Sequence, residues 1–405
     1  MLLVTALTLA ACSSIPKPRT IVAPPPPVVV APPPPKPVPR TAAELGVSAA
    51  PSIDALDITP EGAAAALAAF RTSCRALLRR SDASGLTRQA DWKPACDAAA
   101  LADADPAGFF RQQFETLLVG SGSAFATGYY EPEIEGSRTH DPGYDVPIYR
   151  RPPDLVEVDP GAAAGAPTGR KRRGRMQDGQ LVPYYERAEI DAGALANQGL
   201  EIGWAKDPYE VFFLQIQGSG RLHLPDGGVL RLGYDGQNGR DYVGIGKLMR
   251  DRGLIGPNTG YDSSMQGMMG WMNAHPDEAR ALMEENRSYV FFRELTNPGG
   301  PIGALGVPVT GHVTVAADPA FVPLGAPVWL STDRPEATGL WVAQDTGGAI
   351  KGANRFDTFW GAGVIARMTA GGMSARGQSL ILVPRGTVAR LTAPVNDDVG
   401  STARP

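Results

Sequence analysis

The amino-acid sequence predicts a mainly β fold with helices near its N-terminus. The chain has 405 residues, of which 48 are glycine and 38 are proline, and this composition favours many short strands and turns. Apolar residues recur at helical spacing mainly between residues 41 and 120. In residues 307–383, short apolar runs are separated by glycine and proline, a spacing typical of a small closed β-barrel.

The first 40 residues are predicted to anchor the protein rather than to join the fold. Residues 1–12 are an apolar run too short to span a bilayer, and their end, L-A-A-C at Cys12, resembles the bacterial lipoprotein signal. Ser13 favours the outer membrane, so we expect attachment by lipid alone to its periplasmic face in a Gram-negative bacterium. The proline-rich residues 13–40 predict an extended tether. An ordinary cleaved signal peptide is the alternative.

Charge and cysteine content narrow the class of protein. The 38 basic and 42 acidic residues give a net charge of −4, whereas nucleic-acid-binding proteins present a basic face, so no nucleic-acid partner is expected. Cys74 and Cys96 are the remaining cysteines, and an even pair in an exported protein predicts a disulfide. Two free buried thiols are the alternative.

Local patterns predict helices over residues 61–80, 109–118 and 276–286. The last of these begins with proline and acidic residues, as helix N-termini often do. The basic run at residues 169–175 is predicted to be a solvated loop, with contact to an anionic cell-wall polymer as the alternative. A disordered tail is expected over residues 388–405.

Strand-like patterns occupy the middle of the chain. Residues 126–138 switch to strand and turn character, and residues 209–222 are predicted to form a strand with apolar and polar faces. The residues expected on one face are Phe212, Leu214 and Ile216, and those on the other are Gln215 and Gln217.

Several kinds of active site have no matching motif. G-S-G at residues 218–220 lacks the form of a nucleophile elbow, and no zinc-ligand spacing is present. The glycine-rich stretch around Lys351 lacks the spacing and hydroxyl residue of a phosphate-binding loop. Calcium bound by Asp318, Asp345 and Asp357 is an alternative, although whole strands separate them, unlike the ligands of an EF-hand.

Carboxylates are then the expected reactive groups, and D-T-G-G-A-I-K-G-A-N-R-F-D carries two of them. An exported protein relying on aspartate suggests glycoside chemistry, in which a protonated acid donates to the leaving oxygen. Asp357 lies among aromatic residues, which favour its protonated form, whereas Asp345 shares a turn with Lys351, which favours its ionised form. We therefore assign Asp357 as the acid and Asp345 as its supporter. Gly347 and Gly348 would let the backbone approach a sugar. Both aspartates merely holding the turn is the alternative.

Three blocks of sequence together resemble the membrane-bound lytic murein transglycosylase A family. They are A-T-G-Y-Y-E-P-E-I-E-G-S-R from Ala126, F-F-L-Q-I-Q-G-S-G-R-L from Phe212, and A-A-D-P through Q-D-T-G-G-A-I-K-G to R-F-D-T-F-W-G. The last block is similar to the wider 3D domain, whose three aspartates are here Asp318, Asp345 and Asp357. The resemblance spans roughly residues 120–383.

This resemblance implies two domains and a reaction. Residues 41–128 and 290–387 would form a double-psi β-barrel domain with N-terminal helices, residues 129–289 an inserted second β-barrel domain, and a groove between them would bind peptidoglycan glycan strands. The implied enzyme is a peptidoglycan lytic exotransglycosylase, a lyase that cleaves the β-1,4 bond between N-acetylmuramic acid and N-acetylglucosamine without water. Its product is a 1,6-anhydro ring, and no metal or organic cofactor is implied.

The resemblance also implies roles for individual residues. Asp357 would protonate the leaving oxygen and then serve as base, supported by Asp345, with Asp318 as the third family aspartate. The further predicted substrate contacts are Tyr129, Tyr130, Glu131, Gln215, Gln217, Ser219, Gly347, Gly348 and Lys351. Barrel core for the tyrosines and turn chemistry for the serine are the alternatives.

Two other functions stay open at this point. An inverting hydrolase on the same barrel would need a second carboxylate as base, for which Asp318 and Glu131 are candidates. A non-catalytic module that binds or loosens the cell wall would need no such carboxylate.

Overall fold

The computed structural model describes residues 38–159, 172–296 and 299–393. From Pro39 onward the chain forms one compact unit. The predicted lipoprotein signal with Cys12, most of the predicted tether and the end of the predicted tail lie outside the described residues. None of the described helices is long and apolar enough to cross a membrane.

Helices and strands occur in runs along the described residues. The helices are α1 Ala42–Leu45, α2 Pro60–Leu77, α3 Lys93–Ala99, α4 Pro106–Gln113, α5 Arg187–Asp191, α6 Pro208–Gln217, α7 Ile245–Asp251, α8 Met265–Ala274, α9 Pro276–Glu285, α10 Gly363–Gly372 and α11 Thr387–Thr392. The strands are β1 Val47–Ala49, β2 Phe114–Val119, β3 Ser123–Glu131, β4 Glu133–Ser137, β5 Val146–Tyr149, β6 Val156–Val158, β7 Arg172–Gln177, β8 Gln180–Val182, β9 Glu201–Ala205, β10 Ser219–His223, β11 Val229–Gln237, β12 Val290–Glu294, β13 Thr314–Ala317, β14 Pro327–Thr332, β15 Gly339–Asp345, β16 Arg355–Ala362 and β17 Ser374–Pro384.

Six strands of the first sheet pair into a closed ring. The order around the ring is β3, β17, β14, β15, β13 and β16, and β16 pairs with β3 again. β2 pairs with β17 outside this ring, and β1 pairs with β2. The ring therefore joins segments from both ends of the described chain. Its description as a double-psi barrel stays a prediction.

The second sheet has six strands in the order β12, β11, β10, β4, β9 and β5. Arg150, directly after β5, forms a bridge with Phe292 in β12, so the two edges of this sheet meet at one point. β12 belongs to this sheet although the predicted inserted domain ends at residue 289. β6, β7 and β8 form a separate three-stranded antiparallel sheet.

Helix α2 packs the N-terminal region against the ring. The Oγ1 of Thr59 accepts a hydrogen bond from the Gly62 N–H at 3.1 Å, and proline occupies the first turn, so the helix begins with both common N-terminal signals. Phe70 is fully buried, and its ring lies 6.3 Å from that of Trp92 and 5.3 Å from that of Phe114. The aromatic cluster ties α2 to β2 and to the segment before α3.

The predicted disulfide is confirmed. Cys74 in α2 bonds to Cys96 in α3, with 5.6 Å between the Cα atoms and a sequence separation of 22. The bond holds α2 and α3 together.

The predicted strand over residues 209–222 is wrong, because its first part is helix α6. The carboxylate of Asp207 accepts a hydrogen bond from the Tyr209 N–H at 2.7 Å, and Gly218 ends the helix in a left-handed conformation. The helix is buried on two sides and so has no polar face to reveal its period. One core receives Val211 and Leu214, and another receives Phe212 and Phe213.

Other predicted elements also need correction. The helix predicted over residues 109–118 ends at Gln113 and continues as β2, and the described part of the basic run, from Arg172 on, lies in β7 rather than in a loop. The tail predicted from residue 388 begins too early, since α11 reaches Thr392. Helices α7, α8 and α10 were not predicted, so the fold combines sheets with several helices and is not mainly β.

Replacing both Cys74 and Cys96 by serine is expected to destabilise the protein by about 3 kcal/mol, because the unfolded chain regains the entropy of a loop of about 22 residues. Urea unfolding, followed by tryptophan fluorescence, measures this change. Reductant should lower the midpoint of the wild type and leave that of the double variant unchanged. Equal midpoints for the two oxidised proteins would contradict the expectation.

Candidate active site

Four residues lie side by side across four neighbouring strands of the ring. Thr127 in β3 is opposite Asp357 in β16, Asp357 is opposite Ala316 in β13, and Ala316 is opposite Asp345 in β15. Residues directly opposite each other project to the same face of a sheet. The two carboxylates therefore share one face, two strand spacings or about 10 Å apart at their Cα atoms.

Within the described part of the chain, one hydrogen-bond donor contacts the carboxylate of Asp357. The hydroxyl of Thr127 donates to its Oδ1 at 2.6 Å, and Nη2 of Arg355 donates to the same hydroxyl oxygen at 2.9 Å. Burial raises the pKa of Asp357 to about 6, and the neighbouring charge of Asp345 contributes in the same direction. The Thr127 bond and the Arg355 charge act against this rise. Asp357 therefore keeps its proton at a higher pH than an ordinary aspartate.

Asp345 is held by three donors. The N–H groups of Ala304 and Thr346 donate to its Oδ1 at 2.9 and 2.8 Å, and the hydroxyl of Tyr129 donates to its Oδ2 at 3.0 Å. Burial raises the pKa of Asp345, and these three hydrogen bonds oppose the rise. The phenol of Tyr129 also stays protonated, because burial and the two carboxylates raise its pKa. More donors stabilise the ionised form of Asp345 than that of Asp357.

A β-bulge at Gln344 decides which residue lies opposite Ala316. The pairing of β13 with β15 passes from Val315 opposite Ala343 directly to Ala316 opposite Asp345, so Gln344 is the extra residue. Its side chain is fully buried. Its Nε2 lies within 3.0 Å of three oxygens of α2, and its Oε1 accepts a hydrogen bond from Thr314 at 2.7 Å. Helix α2 thus supports the strand end that carries Asp345.

Asp318 anchors the turn between β15 and β16. Its Oδ1 accepts from the Ala320 N–H at 3.1 Å, and its Oδ2 accepts from the Gly352 N–H at 2.9 Å. Within the described part of the chain, no group of three or more acidic, histidine or cysteine side chains is placed to hold a metal ion. These contacts indicate that Asp318 holds the backbone of this turn in place.

The glycine turn, residues 346–354, lies between the two aspartates in sequence. A side chain at Gly347 would lie 2.8 Å from the Cγ1 of Ile350, which is buried beneath the turn. Gly348 is exposed, and a side chain there would meet only Tyr242, at 3.9 Å. Lys351 is exposed and is not one of the groups that hold Asp345, contrary to the sequence-based argument for it.

Comparison with known proteins identifies the family. The MltA specific insert domain matches residues 125–293, and the 3D domain matches residues 313–383. A relative named membrane-bound lytic murein transglycosylase A from Vibrio cholerae is 32% identical over 288 residues, which cover 67% of this chain and 69% of the relative. This chain belongs to the membrane-bound lytic murein transglycosylase A family. The resemblance found in the sequence is confirmed.

Further members of the family support the assignment. The Escherichia coli K12 protein of the same name is 34% identical over 273 residues, 64% of this chain and 66% of that protein. The crystal structure of a membrane-bound lytic murein transglycosylase from Agrobacterium tumefaciens superposes with a TM-score of 0.74 and 31% identity, over 85% of this chain and 99% of the other. The structure of Escherichia coli MltA with bound chitohexaose gives a TM-score of 0.60 and 27% identity, over 84% and 94% of the two chains.

Some predicted substrate contacts are internal supports in this member of the MltA family. Glu131 is 1% exposed, and its Oε2 pairs with Arg221 at 2.7 Å. Gln215 accepts a hydrogen bond from the buried Arg187 at 2.6 Å, and Gln217 accepts one from the Tyr130 N–H at 3.1 Å. Glu131 and Gln217 join β3 of the ring to the insert, whereas Gln215 joins α5 to α6 within the insert. The remaining predicted contacts there, Tyr130 and Ser219, are buried and half-buried respectively.

Three residues around the carboxylates were missed by the sequence reasoning. Thr127 and Arg355 lie inside the family blocks, but only strand pairing shows that they meet at Asp357. Tyr242 comes from the insert. Burial raises the pKa of its phenol, and the nearby carboxylate of Asp357 raises that pKa further, so the phenol lies close to Asp357. No sequence signal linked Tyr242 to residues more than a hundred positions away.

Opposite shifts of the Asp357 pKa are expected from two substitutions at this site. Asp345→Asn removes a nearby negative charge and should lower the pKa of Asp357 from about 6, whereas Thr127→Val removes a donor to the carboxylate and should raise it. Carbon-13 NMR titration of labelled aspartate carboxyls measures both. Thr127→Ser keeps the hydroxyl and is the matched control. Shifts of the same sign in the two variants would contradict this account of the site.

Proposed function

We propose that this protein is a peptidoglycan lytic transglycosylase, in which Asp357 acts alone as general acid and then as general base. It cleaves the β-1,4 bond between N-acetylmuramic acid and N-acetylglucosamine without water and leaves a 1,6-anhydro end. Family membership supports the activity, since the relatives carry the name lytic murein transglycosylase. The observation that supports the mechanism is the unequal pair of carboxylates.

Asp357 has the properties required of the acid. With a pKa of about 6, about one tenth of Asp357 is protonated at pH 7, roughly a hundredfold more than for an ordinary aspartate, so it can donate to the leaving glycosidic oxygen. After donation it is a carboxylate, which can accept the proton of the muramoyl 6-hydroxyl as that oxygen attacks the anomeric carbon. The hydroxyl of Thr127 and the charge of Arg355 stabilise this intermediate ionised state.

Asp345 is proposed as the supporting charge. Its three donors favour ionisation, and a negative charge on the same face favours the proton on Asp357 and the positive charge that develops on the sugar ring. The aromatic ring of Tyr129, whose hydroxyl donates to Asp345, packs against Phe359 in a tilted arrangement with 4.9 Å between the ring centroids. This contact fixes the phenol beside the carboxylates.

The hydrolase alternative needs a second carboxylate as base, and the surroundings of the two candidates, Glu131 and Asp318, disfavour that role. Glu131 is buried and paired with Arg221, and both oxygens of Asp318 are occupied by backbone N–H groups. A base must reach solvent water, and a glutamate that is 1% exposed or an aspartate bonded to two backbone N–H groups is poorly suited to this role. A non-catalytic module would not require a carboxylate with a raised pKa opposite a second carboxylate, so the wall-binding alternative is also less favoured.

The substrate is proposed to lie between the ring and the insert. Tyr242, from residues 238–244 of the insert region, comes next to Gly348 of the glycine turn and to Asp357. Aromatic side chains are common stacking surfaces for sugars, and the exposed glycine turn offers backbone N–H groups to sugar hydroxyls. The Escherichia coli MltA structure contains chitohexaose, a glycan with the same β-1,4 linkage. Attachment through lipidated Cys12 to the outer membrane remains part of this proposal.

Asp357→Asn is expected to reduce turnover by at least about 10²–10⁴-fold, because an amide cannot exchange the proton. Mass spectrometry of muropeptides released from purified peptidoglycan measures the product and the rate. Wild-type protein should release anhydro products, which are lighter by one water than hydrolytic products. Reducing-end products would favour the hydrolase, and no release would favour a wall-binding module. Binding of the variant to glycan strands is the control for its folding.

The rate should fall as the pH rises through about 6, since the protonated fraction of Asp357 falls there. It should also fall at lower pH, where Asp345 takes up a proton. Initial rates from about pH 4 to pH 8 on soluble glycan strands test this. In Asp345→Asn the upper limb should move to lower pH, and a profile unchanged by that substitution would count against the supporting role.

A further inference from the structure

The small third sheet carries arginines that the proposed reaction does not use. β7 has the sequence R-R-G-R-M-Q and lies between β6 and β8. The Nε of Arg173 donates to the Oε2 of Glu157 at 2.8 Å, and Arg173 also forms a hydrogen bond with the phenol of Tyr234 in β11. Arg151 is close enough to the same phenol to act on its charge, and its Nη2 donates to the Leu155 carbonyl at 2.9 Å.

We call Arg151, Arg173 and Tyr234 the arginine cluster. With Glu157 included, this group carries one more positive than negative charge. Tyr234 is 42% exposed, and the side chain of Arg173 is 31% exposed. A half-exposed ion pair such as Arg173–Glu157 contributes little net stability. A second carboxylate can therefore replace Glu157 beside Arg173 with little loss of free energy. Guanidinium groups bind carboxylates through two parallel hydrogen bonds, and the phenol adds a further donor.

Glycines bring the arginine cluster close to the segment that leads to the active site. The pairing of β11 with β12 is irregular between Tyr234 and Gly236, and a side chain at Gly236 would lie 3.3 Å from the Cδ of Arg151. A side chain at Gly239 would lie 2.8 Å from the Cβ of Arg173. The bulge and the two glycines therefore allow both arginines to pack on this segment.

The arginine cluster packs on the same short segment that carries Tyr242 to the active site. Gly239 is three residues from Tyr242, which is at most about 11 Å along an extended chain. Tyr242 in turn contacts the position of Gly348 at 3.9 Å and lies near Asp357. A peptide of about five residues extends for up to about 17 Å, which is longer than the stretch from Gly239 to Tyr242.

We propose that the arginine cluster is a subsite for the carboxylates of the peptide carried by N-acetylmuramic acid. The proposal rests on the proposed function, because it requires a peptidoglycan strand in the active site. Peptidoglycan strands differ from plain β-1,4 glycans in carrying short anionic peptides on the lactyl group, and this cluster recognises that difference. The glycan is then held at the carboxylate pair and the peptide at the third sheet.

The test measures equilibrium binding of Asp357→Asn protein to two glycan strands of equal length, one with peptides and one from which an amidase has removed them. We expect the peptide-bearing strand to bind about five- to tenfold more tightly, as for charge-assisted hydrogen bonds at a half-exposed site. Adding Arg151→Gln and Arg173→Gln should remove this preference and leave affinity for the peptide-free strand unchanged. Adding Glu157→Gln instead should increase the preference, because a competing carboxylate is lost.

Arg138→Gln is the matched control, since Arg138 forms an exposed pair with Glu294 at 2.8 Å elsewhere on the insert. It should leave the preference intact. Equal binding of the two strands by the parent, or a preference that survives the double arginine substitution, overturns the proposal. Failure of the proposed function would give a different result: wild-type protein would bind strands without releasing anhydro-muropeptides.

Discussion

The buried amide of Gln344 is the constraint on which the site depends. As the extra residue of a β-bulge, it shifts Asp345 into the position opposite Ala316, in line with Asp357. A buried amide is costly unless its polar atoms are bonded, and here α2 and Thr314 supply the partners. The bulge is therefore stable only while α2 lies against β15. The disulfide to α3 and the aromatic cluster around Phe70 hold α2 in that place.

The two carboxylates acquire different chemistry from their surroundings rather than from their identity. Asp345 lies at a strand end, where two free backbone N–H groups and a phenol are available to it. Asp357 lies within a strand whose backbone groups are engaged in pairing, so among the described residues only the side chain of Thr127 donates to it. Equal burial of two aspartates would then leave the proton on the one with fewer donors.

The insert contributes to the site through segments that have no catalytic motif. Tyr242 reaches the glycine turn from a loop whose course is set by β11 and by Asn238, which is fully buried and donates to the carbonyls of Tyr185 and Arg287. The small third sheet packs on the same loop at Gly239. Changes in this loop can therefore alter substrate contacts without touching the carboxylate pair.

The sequence by itself determined the family and the disulfide, and it singled out Asp345 and Asp357. Asp345 and Asp357 lie on either side of a glycine turn, and the cysteine pair belongs to a protein with a predicted export signal. Both predictions therefore rest on patterns that can be read directly from the sequence. The sequence also predicted α2 and α9, because each has one buried face and clear N-terminal signals. It failed at α6, which is buried on two sides, and at β7, whose charge hid its strand pairing.

Only the tertiary structure decided what surrounds the two aspartates. Thr127 meets Asp357 across 230 residues of sequence, and Tyr129 meets Asp345 across 216. It also placed Glu131, Gln215 and Gln217 among internal supports, where a motif had suggested sugar contacts. Donor counts, burial and the resulting pKa values depend on strand register, and register between distant segments is fixed by packing rather than by local pattern.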